Sequence, residues 1–261
     1  MNCGLWIAYQ TIVRKEVSRF SRVWLQTLIP PMVTTGLYFI IFGNLIGSKI
    51  GPMSGVDYVD FMMPGLILMS VIICSYTNVA SSLFSAKFQR YIEEIAIAPI
   101  PNWLIILGYL SGGVIRGLLV GMLVLLVAVN FADCSCYSLL HAVLIAFLAS
   151  LLFSLAGFIN ALYARNFDDI SIIPTLLLTP LIYLGGVFYS INLLPPFWAQ
   201  VSTVNPLLYL INTFRYGFIG VTDTSLLVSY VIIAVWFVVM FLWAMILLRF
   251  GKGFKILILN K

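Results

Sequence analysis

The sequence predicts an all-α membrane protein: six transmembrane helices, an N-terminal interfacial amphipathic helix and a re-entrant segment before the last helix. Three observations predict it. Of 261 residues, 62% are hydrophobic and only 9% charged, where soluble domains run about 45–50% apolar and about 25% charged. The apolar residues fall in runs of the length a bilayer demands, about 20 residues at ~1.5 Å rise across a ~30 Å hydrocarbon slab. The Lys and Arg residues cluster between those runs, as in cytoplasmic loops. A soluble fold of this size leaves too much surface facing water to hide such a composition. We read residues 1–261 as one membrane domain, whose net charge of +5 faces membrane lipids and not nucleic acid.

The chain starts with residues 5–22. Trp6, Tyr9, Val13, Val17, Phe20 and Trp24 recur at spacings of three and four and share one stripe, with Lys15, Arg19 and Arg22 opposite. That pattern suits a helix lying in the inner membrane interface. A plain anchor and a gate-side helix leaning on a cytoplasmic partner both fit it. Charges at Arg14, Lys15, Glu16, Arg19 and Arg22 precede any long apolar core, so a cleavable signal peptide is not expected and the first span stays in the mature protein.

The first span, 23–48, is free of charge despite Pro30-Pro31, and the second is 61–86. Gly51, Pro52 and Gly55 mark the loop between them. Residues 87–101 form the most charge-dense stretch after the N-terminus, with Lys87, Arg90, Glu93 and Glu94 ahead of Pro99 and Pro101. Arg90 and Glu94 can pair along a helix for ~0.2–0.5 kcal/mol, and the prolines stop it. A short helix projecting into the cytoplasm suits the receipt of force from a motor subunit; an ordinary solvated loop is the plain alternative.

Arg116 interrupts the third apolar run. A straight helix from Trp103 would place the guanidinium ~20 Å deep, at a cost of at least ~2.5–3.5 kcal/mol. A break at Gly112-Gly113 is cheaper: the span is then 113–132, and Arg116 snorkels to the inner headgroups. The remaining spans are 139–163, 170–194 and 225–248. Asp168 and Asp169 precede the fifth and read first as N-caps. The segment 195–220 carries three prolines and several polar residues, so it reads as one or two short helices dipping into the outer interface.

Orientation follows from Lys and Arg. With the N-terminus inside, the cytoplasmic segments hold Arg14, Lys15, Arg19 and Arg22, then Lys87, Arg90 and Arg165, and a basic C-terminal end, against Lys49 and Arg215 outside. Both termini are therefore expected in the cytoplasm. The cysteines at 3, 74, 134 and 136 form no zinc pattern, so no metal site is expected, and His141, the lone histidine, has no nearby acid. An ion-coupled secondary transporter would want charges at mid-bilayer, and apart from Arg116 the expected spans hold none. A membrane-embedded enzyme would want a His/Asp/Glu or Cys/His constellation, which is not visible either.

At this point the residues resemble a known family. The run Met63-Pro64-Gly65-Leu66, then Asn78 to Ser82, Lys87 to Arg90 and Ile92 to Pro99 is similar to the signature of ABC-2 type transporter permeases. So are Asp168 to Ser171 with Pro174, Leu184 to Tyr189, Leu194-Pro195-Pro196, Asn205-Pro206, Arg215-Tyr216 and Gly220. The resemblance covers nearly the whole chain, closest to small bacterial inner-membrane permeases whose ATPase is a separate polypeptide. It implies a homodimer of six-span subunits with two cytoplasmic ABC ATPase subunits, which bind ATP and Mg. It implies coupling through the N-terminal helix and through Lys87, Arg90, Glu93, Glu94 and Pro99. It also implies re-entrant helices capping the outer exit, and export of a glycan, lipid, drug or other amphiphile. In keeping with that division of labour, these 261 residues contain no GxxxxGK[ST] phosphate loop, so no cofactor is expected in this chain. Substrate-binding residues are not legible.

Overall fold

The computed structural model describes residues 3–53, 55–133 and 136–250, without the side chains of Cys3, 44–46, 48, Glu93 and Ala96. Cys134 and the basic residues Lys252, Lys255 and Lys261 lie outside the described residues. Its elements in chain order are helices α1 (Cys3–Arg22), α2 (Trp24–Tyr38, continued by a π-helical stretch Phe39–Gly47), α3 (Ser48–Ile50), α4 (Tyr58–Phe88), α5 (Ile92–Ile97) and α6 (Asn102–Ala128). Then come α7 (Leu139–Tyr163), α8 (Phe167–Ile172), the π-helical Ile173–Leu178, α9 (Thr179–Leu184), a 3-10 turn Ile191–Leu193, α10 (Pro196–Val204), α11 (Pro206–Ile219) and α12 (Leu226–Arg249). No strand occurs among the described residues. Six helical stretches are long and apolar enough to cross a membrane, beginning at Trp24, Tyr58, Asn102, Leu139, Phe167 and Leu226.

Helix α4 is the hub. Its 31 residues span about 46 Å at the helical rise, longer than the hydrocarbon slab. It packs against α6, α7 and α11, and every residue from Phe61 to Ile72 is buried. The stretches of α2, α8–α9 and α12 lie at the periphery and present apolar surface outward, including Leu37, Leu176 and Val235.

Helix α6 departs from the sequence-based expectation. It runs unbroken through Gly112-Gly113 from Asn102 to Ala128, so the third span does not start at 113. The glycines form two rows at four-residue spacing that let neighbours approach closely. A Cβ on Gly108 would lie 2.6 Å from Ile12 and one on Gly112 would lie 2.5 Å from Glu16, so this row receives α1. Gly113, Gly117 and Gly121 meet Val79, Ser75 and Val71 of α4. Glycine weakens an isolated helix by up to ~1 kcal/mol per residue. Here the intrahelical hydrogen bonds persist because two packed partners hold both faces.

Candidate functional site

The loop expected to face the cytoplasm is built from the end of α4. Lys87 turns inward: its Nζ donates at 2.8 Å to Leu162 O and at 2.8 Å to Ala164 O. These carbonyls close α7, where a helix leaves acceptors unpaired and a cation is favoured. The residue expected to touch a partner instead ties α4 to α7 inside the subunit. Arg90 follows in a left-handed conformation at φ 65° and is exposed. This reversal takes the chain out of helix, and the expected Arg90–Glu94 pair does not form; the ion pair among the described residues joins Arg19 and Glu16. Ile92 is buried and pins α5 to the core, while Glu94 and Pro99 are partly or fully outward and Ile97 is 84% exposed. The side chain of Glu93 lies outside the described residues.

The second zone is a polar knot where α1 meets α4 and α6. Glu16 is fully buried and accepts a 2.5 Å hydrogen bond from Ser82 Oγ. Arg19 Nη2 reaches Glu16 Oε2 at 3.3 Å, Asn78 O at 3.0 Å and Asn78 Oδ1 at 2.8 Å. Arg116 Nη1 donates to the same Asn78 Oδ1 at 3.3 Å. Ahead of the knot, Tyr9 and Ser111 share a 2.7 Å hydrogen bond. Lys15 Nζ sits 4.3 Å above the Tyr91 ring, just before α5, and burial pulls its ammonium below the ordinary lysine range.

The expected division of α1 into an aromatic lipid face and a basic free face is therefore corrected. Phe20 is buried and Tyr9 half-buried, whereas Trp6 and Trp24 are exposed. Lys15 and Arg19 turn towards protein, and only Arg22 of the three cations is fully outward. The docked face centres on Ile12 and Glu16, between the two expected stripes, where the smooth Gly108–Gly112 row receives it. Ile12 against Gly108 and Glu16 against Gly112 also show that α1 runs along α6 in the same direction.

Asp168 and Asp169 stand inside the first turn of α8, and the N-cap position belongs to Asn166. Asp169 Oδ2 accepts from the backbone N–H of Arg165 at 2.7 Å and of Asn166 at 3.2 Å, a capping role.

At the opposite end, two short helices, α10 and α11, occupy 195–220. Asn205 joins them: its Oδ1 accepts from Leu207 N at 3.1 Å and its Nδ2 donates to Leu181 O at 2.6 Å. Arg215, expected as an outer-loop charge, is instead buried in α11. Its guanidinium donates to Gly186 O, to Phe61 O at 3.3 Å and to Asn212 Oδ1 at 3.0 Å, and lies 3.8 Å from the Phe61 ring centroid. One side chain thus fastens α11 to the start of α4 and to the turn after α9.

Between α2 and α4 runs a groove of about 210 Å³, with Pro30, Pro31 and Thr34 on one wall and Leu66, Met69 and Cys74 on the other. Thr35 and Ser70 hydroxyls meet in it at 3.2 Å. Above it, Tyr38 and Tyr183 hydroxyls lie 3.3 Å apart and Phe42 packs on Phe188.

Comparisons place the chain among known proteins. The family model described as ABC-2 type transporter matches residues 7–219. The chain is 52% identical over 250 residues to the inner membrane transport permease YadH of Escherichia coli (strain K12), covering 96% of this chain and 98% of that protein. It is 24% identical over 216 residues to nodulation protein J of Rhizobium meliloti (strain 1021), with 82% and 81% of the two chains covered.

Proposed function

The chain belongs to the ABC-2 type transporter family, and on that premise we propose that it is the permease half of an ATP-driven exporter of the bacterial inner membrane. Two copies form the path, both termini lie in the cytoplasm, and a separate ABC ATPase supplies ATP, Mg and force. The cargo is an amphiphile, a glycan or lipid among them.

One observation carries this reading best. α5 is anchored in the core by Ile92 while presenting Glu94, Ile97 and Pro99 outward, beside the exposed Arg90. A helix six residues long is too short to hold itself in water, and its apolar Ile97 points away from the subunit. Force applied to α5 passes to α1 through Tyr91 and Lys15, and to α4 directly. Lys87 belongs to the internal scaffold of this device and Arg90, Glu94 and Pro99 to its contact face, while Glu93 takes its coupling role from the family resemblance.

The test is a double charge reversal, Glu93→Lys with Glu94→Lys, assayed for insertion, ATPase co-purification and export. Export should disappear while insertion stays intact. Undiminished export would remove those carboxylates from the coupling role. An ion-coupled carrier is the rival, and Glu16 is the buried carboxylate it would use. Transport driven by an imposed proton gradient without ATP, and lost in Glu16→Gln, would favour that rival.

A further inference from the structure

The knot between α1, α4 and α6 contains more positive charge and more donors than it can satisfy. Arg19 and Arg116 bring two guanidiniums, which do not deprotonate in proteins, and Glu16 brings one carboxylate. That carboxylate is already engaged, Oε1 by Ser82 and Oε2 by Arg19. Asn78 Oδ1 accepts from both arginines. Four buried polar atoms around it have no hydrogen-bond partner among the described residues: Arg19 Nε, Arg116 Nε, Asn78 Nδ2 and Ser75 Oγ. All four can donate. Ser75 Oγ faces α6 at Gly117, next to Arg116, because that position has no side chain.

A surplus cation beside several unpartnered donors suits an oxyanion with more acceptor sites than a carboxylate. Phosphate fits, since guanidinium groups bind it through paired N–H bonds. The surroundings say what it is attached to. Ser75 follows Cys74 in α4, and Cys74 lines the α2–α4 groove, whose floor continues through Ile73, Met69 and Leu66. The cationic spot thus adjoins one end of a mostly apolar channel that opens at the periphery of the subunit.

We propose that Arg116, backed by Arg19, binds the phosphate head of an amphiphile whose apolar part lies along the α2–α4 groove. The inference rests on the permease reading and narrows its cargo to a phosphorylated amphiphile. Asn78 and Ser75 orient the head. Glu16 sets the strength of the site by cancelling one of the two charges.

The test uses the full-length permease in phosphatidylcholine nanodiscs, with spin-labelled phosphatidic acid as probe and the matching labelled diacylglycerol as control. The wild type should retain phosphatidic acid in preference to diacylglycerol. Arg116→Gln should weaken that retention by about tenfold or more, the equivalent of losing one hydrogen bond to a charged group. Arg116→Lys should restore part of it, keeping the charge and losing the fork. Glu16→Gln should tighten retention, a gain that misfolding cannot produce. Equal retention by wild type, Arg116→Gln and Glu16→Gln would overturn the site. Inorganic phosphate competing as strongly as the lipid would overturn its assignment to an amphiphile. Hydrolysis by the permease–ATPase complex reports separately on the permease reading: a working complex whose Arg116→Gln form binds phosphatidic acid normally refutes this inference alone.

Discussion

Lys87→Met separates two roles for a residue that stands in a cytoplasmic loop by sequence and inside the subunit by structure. The substitution keeps the length and apolar stem of the side chain and removes its charge. Lost are two hydrogen bonds at 2.8 Å to Leu162 O and Ala164 O. Bonds from charged donors contribute ~1.5–3 kcal/mol each, and the ammonium adds ~0.3–1 kcal/mol at a helix C-terminus. Lys87 is 7% exposed, and relief from its own desolvation returns part of this loss. A net destabilisation of about 2 kcal/mol remains. For a chain of this size that is a fall in Tm of roughly 4–8 °C. The assay is thermal unfolding in detergent, paired with affinity for the partner ATPase measured well below the transition. Lower Tm with unchanged affinity is expected. Unchanged Tm with weakened affinity would refute the internal role and return Lys87 to the contact face.

Three further substitutions probe the same framework. Gly112→Ala places a methyl 2.5 Å from Glu16 Cβ, so α1 must move; overpacking of this kind costs ~1–3 kcal/mol, and cysteine cross-linking between α1 and α6 should fall with it. Arg90→Gly relieves a left-handed φ of 65° and should stabilise by about 1 kcal/mol, while coupling to the ATPase weakens if the side chain is what that strain preserves. Arg215→Met leaves Gly186 O and Asn212 Oδ1 without that donor, at ~1–3 kcal/mol for each orphaned group, and should lower Tm further than Lys87→Met does.

Much of the architecture was legible because hydropathy and length together define a bilayer span. Residues 139–163 were expected as a helix and α7 occupies them; the last span shifted by one residue. The fifth was expected over 170–194, but its helix starts at Phe167 and ends at Leu184, because Gly186 at φ 82° turns the chain there. The break expected at Gly112-Gly113 rested on the cost of carrying Arg116 into the bilayer, but Arg116 finds Asn78 Oδ1 and the glycine rows are gripped on two faces, so the helix runs on. The signal against it was present: glycines at 108 and 112, and at 113, 117 and 121.

The polar knot was harder to see. Glu16 is a single acid among cations on α1, and a helical wheel assigns it to a face without saying what that face meets. Only the approach of α4 gives it Ser82 as a neighbour, beside Arg19 one turn along α1. Lys87 and Arg215 were misplaced for a related reason. Counting charges by loop treats each as solvated, whereas Lys87 meets the carbonyls that end α7 and Arg215 meets the Gly186 carbonyl in the turn after α9.

The central claim is that this chain shapes a path and takes its power from another polypeptide. The direct measurement is export in sealed inverted vesicles containing the permease alone, the ATPase alone or both, with and without ATP and with ionophores present. Transport and stimulated hydrolysis should occur only with both proteins and ATP. Hydrolysis by the permease alone, or uptake that follows an ion gradient without ATP, would contradict it.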